Sequence, residues 1–172
     1  MSNNIVVHIF RFLIFVLIQS LVLNSLEIGL GIQLMIYPLF IVLLPFETSL
    51  PVLLLVAFVM GFSIDSISNT FGLHTSSLLV VAYLRPFVFN MFSPRDGYDP
   101  LKEASIFEMG QRWFISVFGI LILIQHLWFF TLEMFNITEM LYVFQKTMLS
   151  APLSFLLCIL LQVIFVSKPK ER

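Results

Sequence analysis

Charge is what this chain has least of. Only 11% of its 172 residues are Asp, Glu, Lys or Arg, against about 25% in soluble domains. The formal net charge is −1, so no basic field is available to hold a nucleic acid, and none is expected as a partner. The single cysteine, Cys158, excludes an internal disulfide and argues against a clustered Cys/His zinc site. It sits in an apolar run and reads as a small buried side chain. Pro- or Gly-rich linkers, heptads and repeats of solenoid length are missing too. What is abundant is apolar surface. Hydrophobic residues make up 59% of the chain, 20 residues are Phe, and mean hydropathy is +1.02. A water-soluble fold of this size cannot hide that much, because much of its surface must face solvent. The composition therefore predicts an all-α polytopic protein of the lipid bilayer, in one integral membrane domain over 1–172.

A spanning helix needs about 20 mainly apolar residues. Six stretches come close: 5–23, 28–44, 51–70, 73–92, 113–132 and 140–166. The third is the least apolar. Its clean part, 51–64, supplies only about 21 Å of helix, so to span it must carry Asp65 into the membrane. Six crossings place both termini on one side. Arg11, Arg95, Lys102, Arg112, Lys168, Lys170 and Arg172 all fall on that side, which also holds the long connection 93–112 and the tail 167–172. Glu27, Glu133, Glu139 and Lys146 fall on the other. By the positive-inside rule both termini are cytoplasmic. The first stretch has no basic residue ahead of its apolar run and no small-x-small cleavage site after it, so it is expected to remain as a helix.

Ionisable groups inside a bilayer are costly and normally face protein or a wet cavity. Here they are Asp65, Arg85 and His126, with His74 near a helix end. Helix rise puts Asp65 and His126 both about 21 Å from the cytoplasmic edge and Arg85 only about 10 Å from it. A direct Asp65–Arg85 pair is thus disfavoured. Asp65 with His126, or with His74 across a turn, is the better pairing. Binding a small ligand and burial as a neutral acid remain the other readings of Asp65. Arg85 is expected to snorkel to phosphates, to lie over Tyr37, or to bond carbonyls freed by a kink at Pro86.

Ala57, Gly61 and Asp65 recur every four residues, one stripe of a helix along which small side chains allow close approach. His74, Ser77, Val81 and Arg85 share one side of the next helix, and Gly72 before it suits a tight turn. Ser76 and Ser77 have no activating partner and read as packing residues. Glu27, Glu133 and Glu139 read as solvated helix ends. Trp113, Trp128 and Tyr98 read as interfacial anchors. Asp99 is a candidate cap for a helix starting at Pro100, either interfacial or continuous with the fifth span.

Four strings in order carry a resemblance: Leu44-Pro45-Phe46-Glu47-Thr48, Gly61-Phe62-Ser63-Ile64-Asp65, Phe71-Gly72-Leu73-His74 and Ala82-Tyr83-Leu84-Arg85-Pro86. They are followed by Gln125-His126 and Phe129-Phe130-Thr131-Leu132-Glu133. Over about residues 28–135 the set resembles the rod shape-determining protein MreD family in its Bacteroidetes form. The resemblance implies a non-enzymatic inner-membrane scaffold of the cell-elongation machinery that organises peptidoglycan synthesis and cell shape. Its implied partners are an MreC-like bitopic protein and, through it, the peptidoglycan polymerase and transpeptidase complex. It implies no cofactor and no catalytic residue. It also implies a compact six-helix bundle similar to the membrane substrate-binding subunits of energy-coupling-factor transporters. Gly61, Asp65, Gly72, His74, Arg85 and Pro86 are family-pattern positions, and His126 joins them as a structural or interaction candidate. The rival readings are a small-molecule-binding transporter subunit with a pocket around Asp65, His74 and His126, and an intramembrane enzyme.

Overall fold

A computed structural model describes residues 2–26, 29–99 and 103–165. All regular structure among them is helical. The elements are α1 (Ser2–Leu17), α2 (Tyr37–Leu43), α3 (Leu50–Ser68), α4 (Leu73–Met91), α5 (Ile106–Met109), α6 (Gln111–Met134) and α7 (Met140–Phe165). Four helical stretches are long and apolar enough to cross a membrane: Val6–Ser25, Leu50–Ser68, Gln111–Met134 and Met140–Ile164. The chain is a helical membrane protein by this measure. α4 has the length but not the hydropathy, because its buried face carries His74, Thr75, Ser77 and Arg85.

The expected helix 28–44 is not formed. Gly29–Gly31 is a short 3-10 turn, residues 32–36 are not helical, and only Tyr37–Leu43 is α-helical, with Pro38 in its first turn. The local cause is legible. Gly31 takes φ +70°, and a Cβ there would press on Tyr142 Oη at 3.0 Å and Lys146 Cε at 3.1 Å. Irregular backbone inside a bilayer survives only where protein satisfies its polar groups. Here the Gln33 N–H donates to Ser150 Oγ (3.1 Å), the Met35 N–H to Ser154 Oγ (3.0 Å) and the Ile36 N–H to Gln19 Oε1 (2.9 Å). Gln19 returns a bond from Nε2 to the Leu34 carbonyl (3.0 Å). Ser150, Ser154 and Cys158 recur every four residues, so one stripe of α7 faces the broken segment. Gln19 lies where the first helix widens into a π turn, Ile18–Val22, and is fully buried.

α4 lies between α3 and α6, α7 packs on α6, and α1 rests against α2 and α3. The α3–α4 contact is the most extensive and depends on Gly61. A Cβ at Gly61 would stand 2.8 Å from the Thr75 nitrogen and nearer still to its Cα. Backbone cannot yield as a flexible side chain does, so Gly61→Ala is expected to destabilise by about 2 kcal/mol, the usual scale of overpacking. Thermal unfolding in detergent measures this; an unshifted midpoint would show that α4 does not seat against Gly61.

Two contacts sort the ends of the bundle. Arg11, past the middle of α1, pairs with Glu103 (3.2 Å). The Ile106 N–H donates to Gln162 Oε1 near the end of α7 (2.9 Å). The Arg11 region of α1 and the end of α7 therefore both meet the connection after α4. The expected helix start at Pro100 lies outside the described residues; residues 103–105 are not helical, and a helix begins at Ile106. Ser105 Oγ caps it, accepting from the Glu108 N–H (3.3 Å). Lys102 and the tail cations Lys168, Lys170 and Arg172 lie outside the described residues.

Candidate functional site

Asp65 is 6% exposed in the last turns of α3. Its carboxylate accepts the Thr70 hydroxyl (2.6 Å), the Thr75 hydroxyl (2.5 Å), and the backbone N–H groups of His74 (3.1 Å) and Thr75 (2.8 Å). The last two are among the orphan donors of the first turn of α4. The N-cap of α4 is Gly72, which has no side chain to satisfy them. Asp65 thus caps a helix from outside it, aided by the positive end of that helix. The turn between is strained. Asn69 (φ 60°), Phe71 (φ 49°) and Gly72 (φ 91°) are all left-handed, and for Phe71 that is costly. Asp65 holds it closed, its own carbonyl accepting the Thr70 N–H (3.3 Å).

Both expected side-chain pairings of Asp65 are corrected by this geometry. It meets His74 through the backbone, not the ring. His126 is occupied elsewhere: Nδ1 lies 2.8 Å from the Ile122 carbonyl and Nε2 lies 3.0 Å from Ser154 Oγ. The carbonyl can only accept, so Nδ1 carries the proton and Nε2 accepts from Ser154. Ser154 Oγ in turn receives the Met35 N–H. His126 is a bracket for the broken segment. The absence of an Asp65–Arg85 pair agrees with the depth argument.

His74 begins a second network. Asn24 Nδ2 donates to its Nε2 (3.3 Å) and to Ser68 Oγ (2.7 Å), and Gln19 Nε2 donates to Asn24 Oδ1 (2.8 Å). An accepting Nε2 leaves the ring proton on Nδ1, which donates to Tyr37 Oη (3.1 Å). Tyr37 also receives Gln125 Nε2 (2.6 Å) and lies 3.1 Å from Ser77 Oγ, which donates to the His74 carbonyl (3.1 Å). Five segments of the chain are thereby tied through one chain of polar groups, buried at Gln19, Tyr37, His74, Ser77 and Gln125 and exposed at Asn24. Gln19, Asn24 and Tyr37 lie outside the family-like strings, and Gln125 lies in one with no role expected of it; the signal for them is polar residues inside apolar runs.

Above His74 lies a cavity of about 360 Å³, walled in part by Asn24, Gln33, Ser68, His74, Phe129 and Glu133. Glu133 is not a solvated helix end as expected. Lys146 Nζ pairs with it at 2.7 Å, Gln33 Nε2 donates to it at 3.0 Å, and the ammonium sits 4.6 Å from the Phe130 ring centroid. Lys146 is itself buried. Glu27 lies outside the described residues. No three His, Cys, Asp or Glu side chains group as a metal site among the described residues.

Arg85 is 2% exposed and serves the opposite end. Its Nη2 donates to the carbonyls of Val42 (3.4 Å), Leu44 and Pro45 (3.2 Å). These are carbonyls at the C-terminus of α2, where the helix dipole is negative and acceptors are left over. The freed carbonyls expected at Pro86 are not its partners, and α4 runs through Pro86 to Met91. Nor does Arg85 lie over Tyr37; its guanidinium sits 4.5 Å above the Phe89 ring. Beside it, Phe46 stacks on Tyr98 (4.4 Å between centroids), and Trp113 Nε1 reaches the Phe92 carbonyl and Tyr98 Oη, each at 3.1 Å. Tyr98 and Trp113, expected as interfacial anchors, are thus joined in one aromatic group at this end of the bundle.

Comparison with known proteins adds no relationship. No family model matches the chain, and no curated protein or solved structure matches it. Function must be argued from the bundle itself.

Proposed function

We propose that this chain is a multi-pass scaffold of the inner membrane, similar in role to MreD, which binds a bitopic MreC-like partner and so organises the peptidoglycan polymerase and transpeptidase complex. One observation carries the reading: the polar positions of the family-like strings are spent on architecture. Asp65 caps α4, Gly61 admits it, Gly72 turns into it, His74 ties it to α2, and Arg85 closes the end of α2. A chain whose buried polar groups serve mainly its own fold has its helix faces left for work. Within lipid those faces associate by packing and interhelical hydrogen bonds, since lipid tails supply no hydrophobic drive.

The six-crossing arrangement belongs to this reading. The broken segment 29–43 and α4 add two crossings to the four apolar spans, and the contact of the 93–110 connection with both the Arg11 region of α1 and the end of α7 fits an even count. The Lys and Arg residues in or beside that connection, Arg95, Lys102 and Arg112, favour a cytoplasmic placement of that end in this reading. The partner surface is the outer stripe of α1. Val6, Phe10, Leu13, Leu17 and Leu21 are all at least half exposed and follow helical spacing.

Affinity purification of the full chain in mild detergent tests the proposal. An MreC-like bitopic protein should co-purify, and should be lost when Phe10, Leu13 and Leu17 are replaced by alanine. Depletion in rod-shaped cells should round them. The cavity beside His74 and Glu133 supports the transporter reading as the alternative, because broken helices next to polar cavities are also how transporters hold substrate. Co-purification of an ATPase pair with failed solute uptake and unchanged cell shape would decide for it.

A further inference from the structure

Arg85 and Glu47 share a cavity of about 260 Å³ between the α2–α3 connection and the end of α4. They do not touch each other. Neither pairs with an opposite charge among the described residues, whose ion pairs are Arg11–Glu103 and Lys146–Glu133. Arg85 has only part of its fork engaged. The Nη2 bonds go to carbonyls, while the buried Nε has no partner. Neutral carbonyls leave its charge uncompensated. Glu47 is exposed at the rim, and Asn90 and Thr48 line the same space. The Thr48 hydroxyl donates to the Pro45 carbonyl (2.8 Å), so its oxygen can still accept. Phe46 and Tyr98 form the aromatic wall, and aromatic rings of this kind mark headgroup depth.

A simple anion suits half of this site. It would satisfy Arg85 and be opposed by Glu47. A cation has the converse fault. A group carrying both charges, with its phosphate toward Arg85 and its ammonium toward Glu47 and Thr48, satisfies the whole lining. We propose that this cavity binds the headgroup of a zwitterionic aminophospholipid, with phosphatidylethanolamine as the matching chemistry. A primary ammonium can donate hydrogen bonds to Glu47 and Thr48; the quaternary ammonium of phosphatidylcholine cannot. A phosphatidylglycerol headgroup carries no positive charge to meet Glu47. The site depends on the chain lying in a bilayer and not on the scaffold role.

The test uses the full chain in nanodiscs of equal phosphatidylethanolamine, phosphatidylcholine and phosphatidylglycerol, with retained lipids counted by native mass spectrometry. Wild-type protein should retain phosphatidylethanolamine over each of the others by roughly tenfold, the worth of one charge-assisted hydrogen bond. Glu47→Gln, at an exposed position, should fold normally, lose that preference and gain phosphatidylglycerol. Free phosphoethanolamine should not displace the lipid. Equal retention of the three lipids, or a preference unchanged by Glu47→Gln, overturns the site. Displacement by free phosphoethanolamine overturns the lipid as its occupant. Co-purification of a scaffold partner bears on none of these outcomes, so the two readings fail separately.

Discussion

Asp65→Ala is expected to lower the stability of this protein by about 4 kcal/mol, through lost charge-assisted hydrogen bonds and backbone donors left unsatisfied. Four donors converge on this carboxylate, and two of them are N–H groups that Gly72 cannot cap. Asp65→Asn keeps one acceptor oxygen and should lose about half as much. The strained turn should open with the cap. Limited proteolysis at 69–72 should therefore appear in Asp65→Ala before global unfolding, while the thermal midpoint falls in the order wild type, Asn, Ala. An alanine variant that melts with the wild type and resists protease at the turn would falsify the cap. A metal- or ligand-binding role would show differently, as a loss of binding with stability unchanged.

The second large effect is expected at Arg85. Arg85→Met removes every described donor to the carbonyls of Val42 and Leu44 and the ring contact with Phe89, leaving the Pro45 carbonyl to Thr48. The expected cost is about 3 kcal/mol, from acceptors left dry at a helix C-terminus. Two effects oppose each other here. A buried guanidinium without a carboxylate is expensive to desolvate, and replacing buried ions by apolar side chains sometimes stabilises a protein. We expect the loss to win, because methionine fills the volume but donates nothing to the end of α2. Arg85→Lys supplies a point charge without the planar fork and should recover only part of the stability. Melting in detergent, with cleavage in the 45–49 connection as a local probe, separates the cases. A methionine variant more stable than wild type would show that desolvation dominates and that Arg85 is kept for something other than the fold.

Much of the framework is legible without coordinates. The stripe Ala57, Gly61, Asp65 is buried as the four-residue spacing implies, as are His74, Ser77, Val81 and Arg85 on α4 and Cys158 on α7. Spacing reports which face turns inward, because that depends only on helical geometry. Partners were less legible. Depth along a helix argued correctly against Asp65–Arg85, but it could not show that a backbone N–H competes better for Asp65 than a histidine ring does. The clues to the cap were local, a helix beginning at a bare glycine with an acid on the preceding helix. The break at 29–36 was also written in Gly29, Gly31, Gln33 and Pro38, and hydropathy concealed it, since averages over a window do not register one left-handed glycine. Glu133 is the same lesson reversed. Treated alone it is a solvated end; a buried lysine on another helix makes it half of an ion pair.

Composition by itself determined the solvent of this protein. With so few charges and so much apolar surface, only lipid can surround it, and local periodicity then settled which residues turn away from that lipid. The tertiary structure alone decided what satisfies each polar group inside: a carboxylate from α3 for the start of α4, a guanidinium from α4 for the end of α2, serines from α7 for a stretch that is not helical. Those bonds join residues far apart in the chain, and hydrogen bonds form by distance and angle, which no linear spacing contains.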